Sequence, residues 1–169
     1  VDNDGDIDLI IASGGNEFYG EDQHLLPRLY LNDGKAQFSL KKNAFANIYQ
    51  TTSCVVPVDF NKDGFVDLFI GGRDVPFYYG EIPRSYLLQN DGTGKFTDVT
   101  SSYSKALMNV GLVTGAAWTD VNNDGTPDLV VCSEWGGIEA FINEKNSFRK
   151  FSLTERKGWW NFVVPVDLD

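Results

Sequence analysis

The sequence predicts an all-β chain, a partial β-propeller of about three four-stranded antiparallel blades. Three observations carry that expectation. A nine-residue acidic loop recurs, short β-branched or aromatic runs flank its copies, and an Asn-Asp-Gly hairpin signature or a degenerate form of it follows each one. The loops lie 61 residues apart from Asp59 to Asp120 and 47 apart from Asp120 to Asp167. Four short strands repeated at such intervals without helices fit propeller blades, with inserts falling in loops. An elongated β-solenoid is the structural rival, but its glycine-rich nonapeptides follow one another directly, whereas hairpins separate these loops.

The elements follow in order. The first unit, 1–48, opens inside a loop (Val1-Asp2-Asn3-Asp4-Gly5-Asp6-Ile7-Asp8) and so lacks its first strand. Asp8-Leu-Ile-Ile then reads as a strand, and a long insert from Asn16 to Leu26 leads to the strand Pro27-Arg-Leu-Tyr-Leu, the turn Asn32-Asp-Gly and a strand at Phe38. The second unit, 49–107, is complete: Val55-Val56-Pro57-Val58 enters the loop Asp59–Asp67, Val66 to Ile70 leaves it, and Pro83 to Phe96 forms the hairpin. The third, 108–157, holds the loop Asp120–Asp128, the strand Asp128-Leu-Val-Val-Cys and a degenerate hairpin from Ile138 to Phe148. Residues 158–169 are expected to open a further blade, with a strand over Trp160 to Val166 and a fourth loop beginning at Asp167-Leu168-Asp169. A chain that starts in one motif and ends in another reads as a fragment of a longer protein.

The loop spacing has a chemical reason. Oxygens at positions 1, 3, 5 and 9, a backbone carbonyl at 7 and a turn-forming glycine at 6 can wrap one hard cation in six or seven oxygens, which suits Ca²⁺ better than Mg²⁺. Sulfur and imidazole are absent, which argues against zinc. An EF-hand would need Glu at position 12, where Ile70 and Val131 stand, and its flanks would be helical. Turn formation alone also uses Asp, Asn and Gly, but repeated oxygen side chains at fixed offsets favour the metal. Three carboxylates and an Asn without a bidentate Glu place the expected affinity on the order of 0.1–1 mM.

Composition agrees. Of 24 acidic residues, 12 fall in the loops, and two bound Ca²⁺ would bring the net charge from −10 to −6. The acidity argues against nucleic acid, which wants a basic face, and no stretch has the apolar length of a membrane span. Cys54 and Cys132 each sit in an apolar run, the setting of buried free thiols rather than a bridge.

The Asp-x-Asn-x-Asp-Gly-x-x-Asp-Leu loops followed by apolar-Gly-Gly resemble FG-GAP and VCBS repeats, the calcium-binding blades of integrin α propellers and of many bacterial surface proteins. Gly71-Gly72-Arg73, Pro83 to Leu88, Asn90 to Thr100 and Gly158-Trp159-Trp160-Asn161 are similar to bacterial VCBS-repeat proteins found with ASPIC/UnbV-type domains. The resemblance implies an extracellular, periplasmic or cell-surface protein, a multi-blade propeller completed by the remaining blades of its parent, used in adhesion. The implied metal ligands are Asp59, Asn61, Asp63, Asp67 and the Phe65 carbonyl, and Asp120, Asn122, Asp124, Asp128 and the Thr126 carbonyl. The first loop offers Asp2, Asp4, the Asp6 carbonyl and Asp8 but no position 1, and the stub offers Asp167 and Asp169.

Catalytic signatures are lacking. His24 is the single histidine and is expected to be a solvated loop residue, and neither a nucleophile elbow nor a phosphate-cradling glycine loop is present. The expected function is a non-catalytic calcium-binding scaffold for an extracellular protein or glycan. The alternative is a scaffold or cleft portion of an exported enzyme acting on polysaccharide or glycolipid. The insert Asp74 to Glu81, with Phe77, Tyr78 and Tyr79, is the candidate partner surface, although packing between blades is favoured for these aromatics and for Trp118, Trp135, Trp159 and Trp160.

Overall fold

The structure, a computed structural model, describes residues 1–168. Three antiparallel sheets follow one another along the chain, and each starts from an acidic loop or is interrupted by one. The first sheet is β1 (Leu9–Ile11), β2 (Arg28–Asn32) and β3 (Phe38–Lys41), in that spatial order. The second is a complete four-stranded blade, β4 (Thr51–Val58), β5 (Asp67–Asp74), β6 (Tyr86–Asn90) and β7 (Phe96–Asp98). Val58 pairs with Asp67 across the loop, Leu68 with Leu88, and Asn90 with Phe96 across the hairpin turn.

The third sheet holds β8 (Leu112–Thr119), β9 (Asp128–Asn143) and β10 (Phe148–Trp159), with β9 in the middle. Drawn straight, a strand as long as β9 would span roughly 50 Å. Its two ends nevertheless meet, because the Asn143 N–H donates to Asp128 Oδ1 at 2.7 Å. The ribbon folds back at Trp135, whose φ of 56° is left-handed, beside Gly136 and Gly137. One arm, 128–134, pairs with β8 and the other, 138–143, with β10. The third blade therefore also has four strands, two of them run together.

Both faces of the middle blade are buried, which period-2 alternation makes possible. Leu68, Ile70 and Leu88 face the first blade in a core with Leu29, Phe45 and Phe96. Phe69 and Leu87 face the third blade in a core with Phe60, Val113, Leu129 and Phe141. Trp118 sits at that second seam as expected, its indole N–H donating to the Val56 carbonyl at 3.1 Å.

Two features differ from the sequence reading. Between the second and third blades lie two single helical turns, α1 (Thr100–Tyr103) and α2 (Lys105–Met108). The Asp98 carboxylate accepts from the Thr100 N–H at 2.9 Å, and Leu107 is buried at the seam, so a local cap and one apolar anchor set this connection. Residues 160–168, expected to open a further blade, form no strand; Val163 packs instead on Val130, Ala140 and Ile142 at the outer face of the third blade.

Candidate functional site

The two complete loops share one hydrogen-bond pattern. In the first, Asp59 accepts from the Asp63 N–H (3.1 Å) and the Gly64 N–H (2.9 Å), Asn61 Oδ1 accepts from the Asp63 N–H (3.0 Å), and Asp63 accepts from the Phe65 N–H (2.9 Å). In the second, Asp120 accepts from the Asp124 N–H (3.1 Å) and the Gly125 N–H (2.7 Å), Asn122 Oδ1 from the Asp124 N–H (3.0 Å), and Asp124 from the Thr126 N–H (2.7 Å) and hydroxyl. Gly64 and Gly125 have φ of 89° and 80°, the conformation that glycine supplies without strain. Asn61 and Asn122 each donate an amide N–H to the position-5 carboxylate, at 2.8 and 2.9 Å. The truncated first loop keeps one of these bonds, from the Asp6 N–H to Asp4 at 2.9 Å.

Position 9 is different, because it is buried and binds across the blade. Asp67 and Asp128 are 0% exposed. One oxygen of each position-9 carboxylate accepts from the N–H of the hairpin asparagine of its own blade: Asn32 to Asp8 at 2.9 Å, Asn90 to Asp67 at 2.8 Å, Asn143 to Asp128 at 2.7 Å. The second oxygen faces position 2 of the loop. Val121 N–H donates to Asp128 Oδ2 at 2.9 Å, and the Val1 nitrogen, at the same loop position, donates to Asp8. Asp67 Oδ2 makes no hydrogen bond of normal geometry, although the Phe60 amide lies near enough to the carboxylate to favour its charged form. Burial pushes the Asp67 carboxyl up to about 7, the charges of Asp63 and Asp59 add to the rise, and the Asn90 amide offsets part of it.

The hairpin asparagine also reaches the preceding blade. Asn90 Nδ2 donates to the Val1 carbonyl at 2.7 Å, and Asn143 Nδ2 to the Phe60 carbonyl at 2.8 Å. Val1 and Phe60 both occupy loop position 2. The acidic loop of one blade is thus latched to the hairpin of the next by a bond that recurs at both seams. Nothing in a single loop could have shown this; the recurring Asn at the hairpin turn was the available signal.

Among the described residues no three His, Cys, Asp or Glu side chains are gathered into a metal-holding group. The loops arrange their oxygens around backbone N–H groups instead. Two buried carboxylate oxygens stand unpartnered in these loops, Asp67 Oδ2 and Asp2 Oδ1, and an all-oxygen donor set with such orphans fits a hard cation. In the fourth loop Asp167 lies in an exposed segment, and Asp169 falls outside the described residues.

The opposite ends of the strands carry aromatics. Phe77, Tyr78 and Tyr79 are 69%, 64% and 67% exposed rather than packed between blades, and Trp135 and Trp159 are also exposed. The reason is position. These rings stand on the β5–β6 connection, the tip of β9 and the end of β10, beyond the reach of the seams. His24 stands half exposed in a single 3-10 turn, Gln23–Leu25, within the expected insert, stacked on Phe18 at 4.2 Å and bonded through Nδ1 to Asp22 at 2.7 Å. Cys54 and Cys132 are free thiols, and burial pushes the Cys54 thiol up.

The model of the FG-GAP-like repeat matches residues 1–70, 77–131 and 120–169. The chain belongs to the FG-GAP-like repeat family. As in a propeller of such repeats, each matched stretch of this FG-GAP chain includes an acidic loop or the start of one. Phosphatidylinositol-glycan-specific phospholipase D of Rattus norvegicus is 27% identical over 184 aligned positions, which take in 95% of this chain. The chain spans about a fifth of that relative's length, 21%. No helix among the described residues is long and apolar enough to cross a membrane.

Proposed function

We propose that this FG-GAP segment is a calcium-stabilised propeller scaffold of an exported protein, which presents its loops to an extracellular protein or glycan and carries out no chemistry itself. The observation that supports it most is the unpartnered Asp67 Oδ2, buried beside the charges of Asp63 and Asp59. A buried carboxylate among like charges is costly without a counter-charge. A Ca²⁺ held by Asp59, Asn61, Asp63, Asp67 and the Phe65 carbonyl, and a second held by the matching Asp120 set, would supply that charge and stiffen the loop against its hairpin. The metal would act as a structural clamp.

Thermal unfolding in EDTA against a calcium titration, with Mg²⁺ as control, tests this reading. A ligand at 100 times its dissociation constant adds about 2.7 kcal/mol per folded-state site, so the midpoint is expected to rise by several degrees with Ca²⁺ and less with Mg²⁺. Asp63→Ala is expected to lower the midpoint and to remove the calcium gain of its loop. Identical melting of both proteins with and without calcium would refute the proposal.

The phospholipase relative favours a second reading, in which the parent is an exported enzyme on a glycolipid and this segment is its scaffold. Full-length parent and segment would then differ on a phosphatidylinositol-glycan substrate, the first releasing product and the second inert.

A further inference from the structure

The end of the blades away from the acidic loops carries a row of exposed rings in two contacting groups. Tyr19 lies on the β1–β2 connection and meets Phe77 edge-on at 5.7 Å. Two residues along the β5–β6 connection, Tyr79 meets Trp135 edge-on at 5.3 Å, and Trp135 meets Trp159 edge-on at 6.3 Å. The strip crosses all three blades. Edge-on contacts leave ring faces open to solvent, and all five rings are between 47% and 69% exposed.

The strip is held in place from beneath. Glu134, 2% exposed, accepts from the Tyr79 hydroxyl at 3.3 Å and pairs with the Arg73 guanidinium. Tyr79 is therefore fixed at its hydroxyl while its ring stays available, which lowers the ordering cost of binding. Two clefts, of about 210 and about 240 Å³, flank the turn at Val75, and Asp74 lines both. Two residues that line them carry a buried acceptor with no partner, Asp74 Oδ1 and Gln50 Oε1. Gln50 is 6% exposed and lines the larger cleft. Buried polar groups are normally satisfied, so two acceptors left open beside a ring platform call for a ligand that donates hydrogen bonds.

We propose that this strip, with Asp74 and Gln50, is a binding site for a neutral glycan chain. The inference rests on the scaffold reading above and names the class of ligand. Sugar rings present C–H faces that stack on aromatic faces, and their hydroxyls donate and accept alike. Asp74 and Gln50 line these clefts, and their unpartnered oxygens are acceptors of the kind that sugar hydroxyls satisfy. The charge distribution selects a neutral ligand: Arg73 is already paired with Glu134, and a net charge of −10 opposes an anionic chain.

The test is a titration of the whole chain with a panel of neutral oligosaccharides, cello-, xylo-, manno- and chito-oligomers, read by tryptophan fluorescence and saturation-transfer NMR. Each titration is run in calcium and in EDTA. At least one oligomer is expected to bind saturably. Trp135→Ala and Tyr79→Ala should each weaken it about tenfold, the loss of one stacking contact, and Asp74→Asn should weaken it as well. Melting of every variant, with and without calcium, reports separately on the fold and on the metal loops. A flat response from the whole panel in a protein with normal calcium-dependent melting would overturn the glycan site alone and leave the strip to a protein partner. Binding unaffected by both ring deletions would overturn it too. A missing calcium shift beside intact glycan binding would sink the metal reading and spare this one.

Discussion

At the scale of the residue, one aspartate repeated three times carries more of the structure than its neighbours in the loop. Asp8, Asp67 and Asp128 each accept from a hairpin asparagine amide, and Asp128 also takes the Val121 amide. Asp128→Ala would leave two donors without acceptors at a fully buried site, and each such loss runs at 1–3 kcal/mol. The expected destabilisation is about 2–6 kcal/mol, measurable by urea unfolding in EDTA so that metal does not enter. A milder effect belongs to the hairpin turn. Asp91, held by the Thr93 hydroxyl and amide and by Lys95, has its carboxyl lowered below the usual 3.8. A carboxyl lowered in the folded state contributes stability above that usual value and loses it as pH falls below it. The melting midpoint is therefore expected to fall more steeply between pH 5 and pH 3 in the parent than in Asp91→Asn, with the pH chosen to bracket the carboxylate range. Loop positions 1, 3 and 5 were legible in the sequence because their bonds are made within the nine residues. The burial of position 9 was not, since its partners Asn32, Asn90 and Asn143 lie a hairpin away.

Among the elements, β9 shows how a strand pattern can be read correctly and its boundaries missed. The apolar run after Asp128 and the degenerate hairpin from Ile138 were both visible, yet the turn between them has no Asn-Gly or Asp-Gly pair, and Trp135 takes the left-handed conformation. Exposure of the aromatics was equally hidden. A ring at a strand end looks the same in sequence whether it points into a seam, as Trp118 does, or beyond it, as Trp135 and Trp159 do. The hairpin of the third blade supplies a direct test of the latch. Asn143→Asp keeps size and polarity but cannot donate to the Phe60 and Pro127 carbonyls, and it places a charge at a position 2% exposed. Calorimetry is expected to show a loss of about 1–3 kcal/mol, with amide exchange rising first at β9 and the Asp59–Asp67 loop. Exchange that rises uniformly would mean the bond is not what joins these two elements.

For the whole molecule, what decides the arrangement is how closely successive blades approach. Gly71, on β5, stands where an added Cβ would lie 2.6 Å from Val113 Cγ1 of the next blade and 2.9 Å from Cys54 Sγ. Gly71→Ala is therefore expected to force the second and third blades apart and to destabilise by about 1–3 kcal/mol, the range for overpacking a tight core. Labelling of Cys54 by a thiol reagent, slow in the parent because burial raises its pKa, should accelerate in that variant. An unchanged labelling rate would place the glycine's role elsewhere. The repeat periods made the blade architecture legible, because each unit is closed by local pairings. The linking turns α1 and α2 were not, since single helical turns leave no 3.6-residue pattern to detect.

The latch between blades also has a direction. Its acceptor is the position-2 carbonyl of the earlier blade, and its donor is the hairpin asparagine of the later one. A ribosome releases the acceptor first, already set in its loop, and the donor only after the following blade has nearly emerged. Each seam is therefore expected to close as soon as the new hairpin is made, without waiting for the rest of the chain, so that assembly follows the order of synthesis. A circular permutant that reverses the order of a single seam would keep every bond of the finished structure while losing that sequence of events. Its folding yield in a cell-free translation would show how much the order matters.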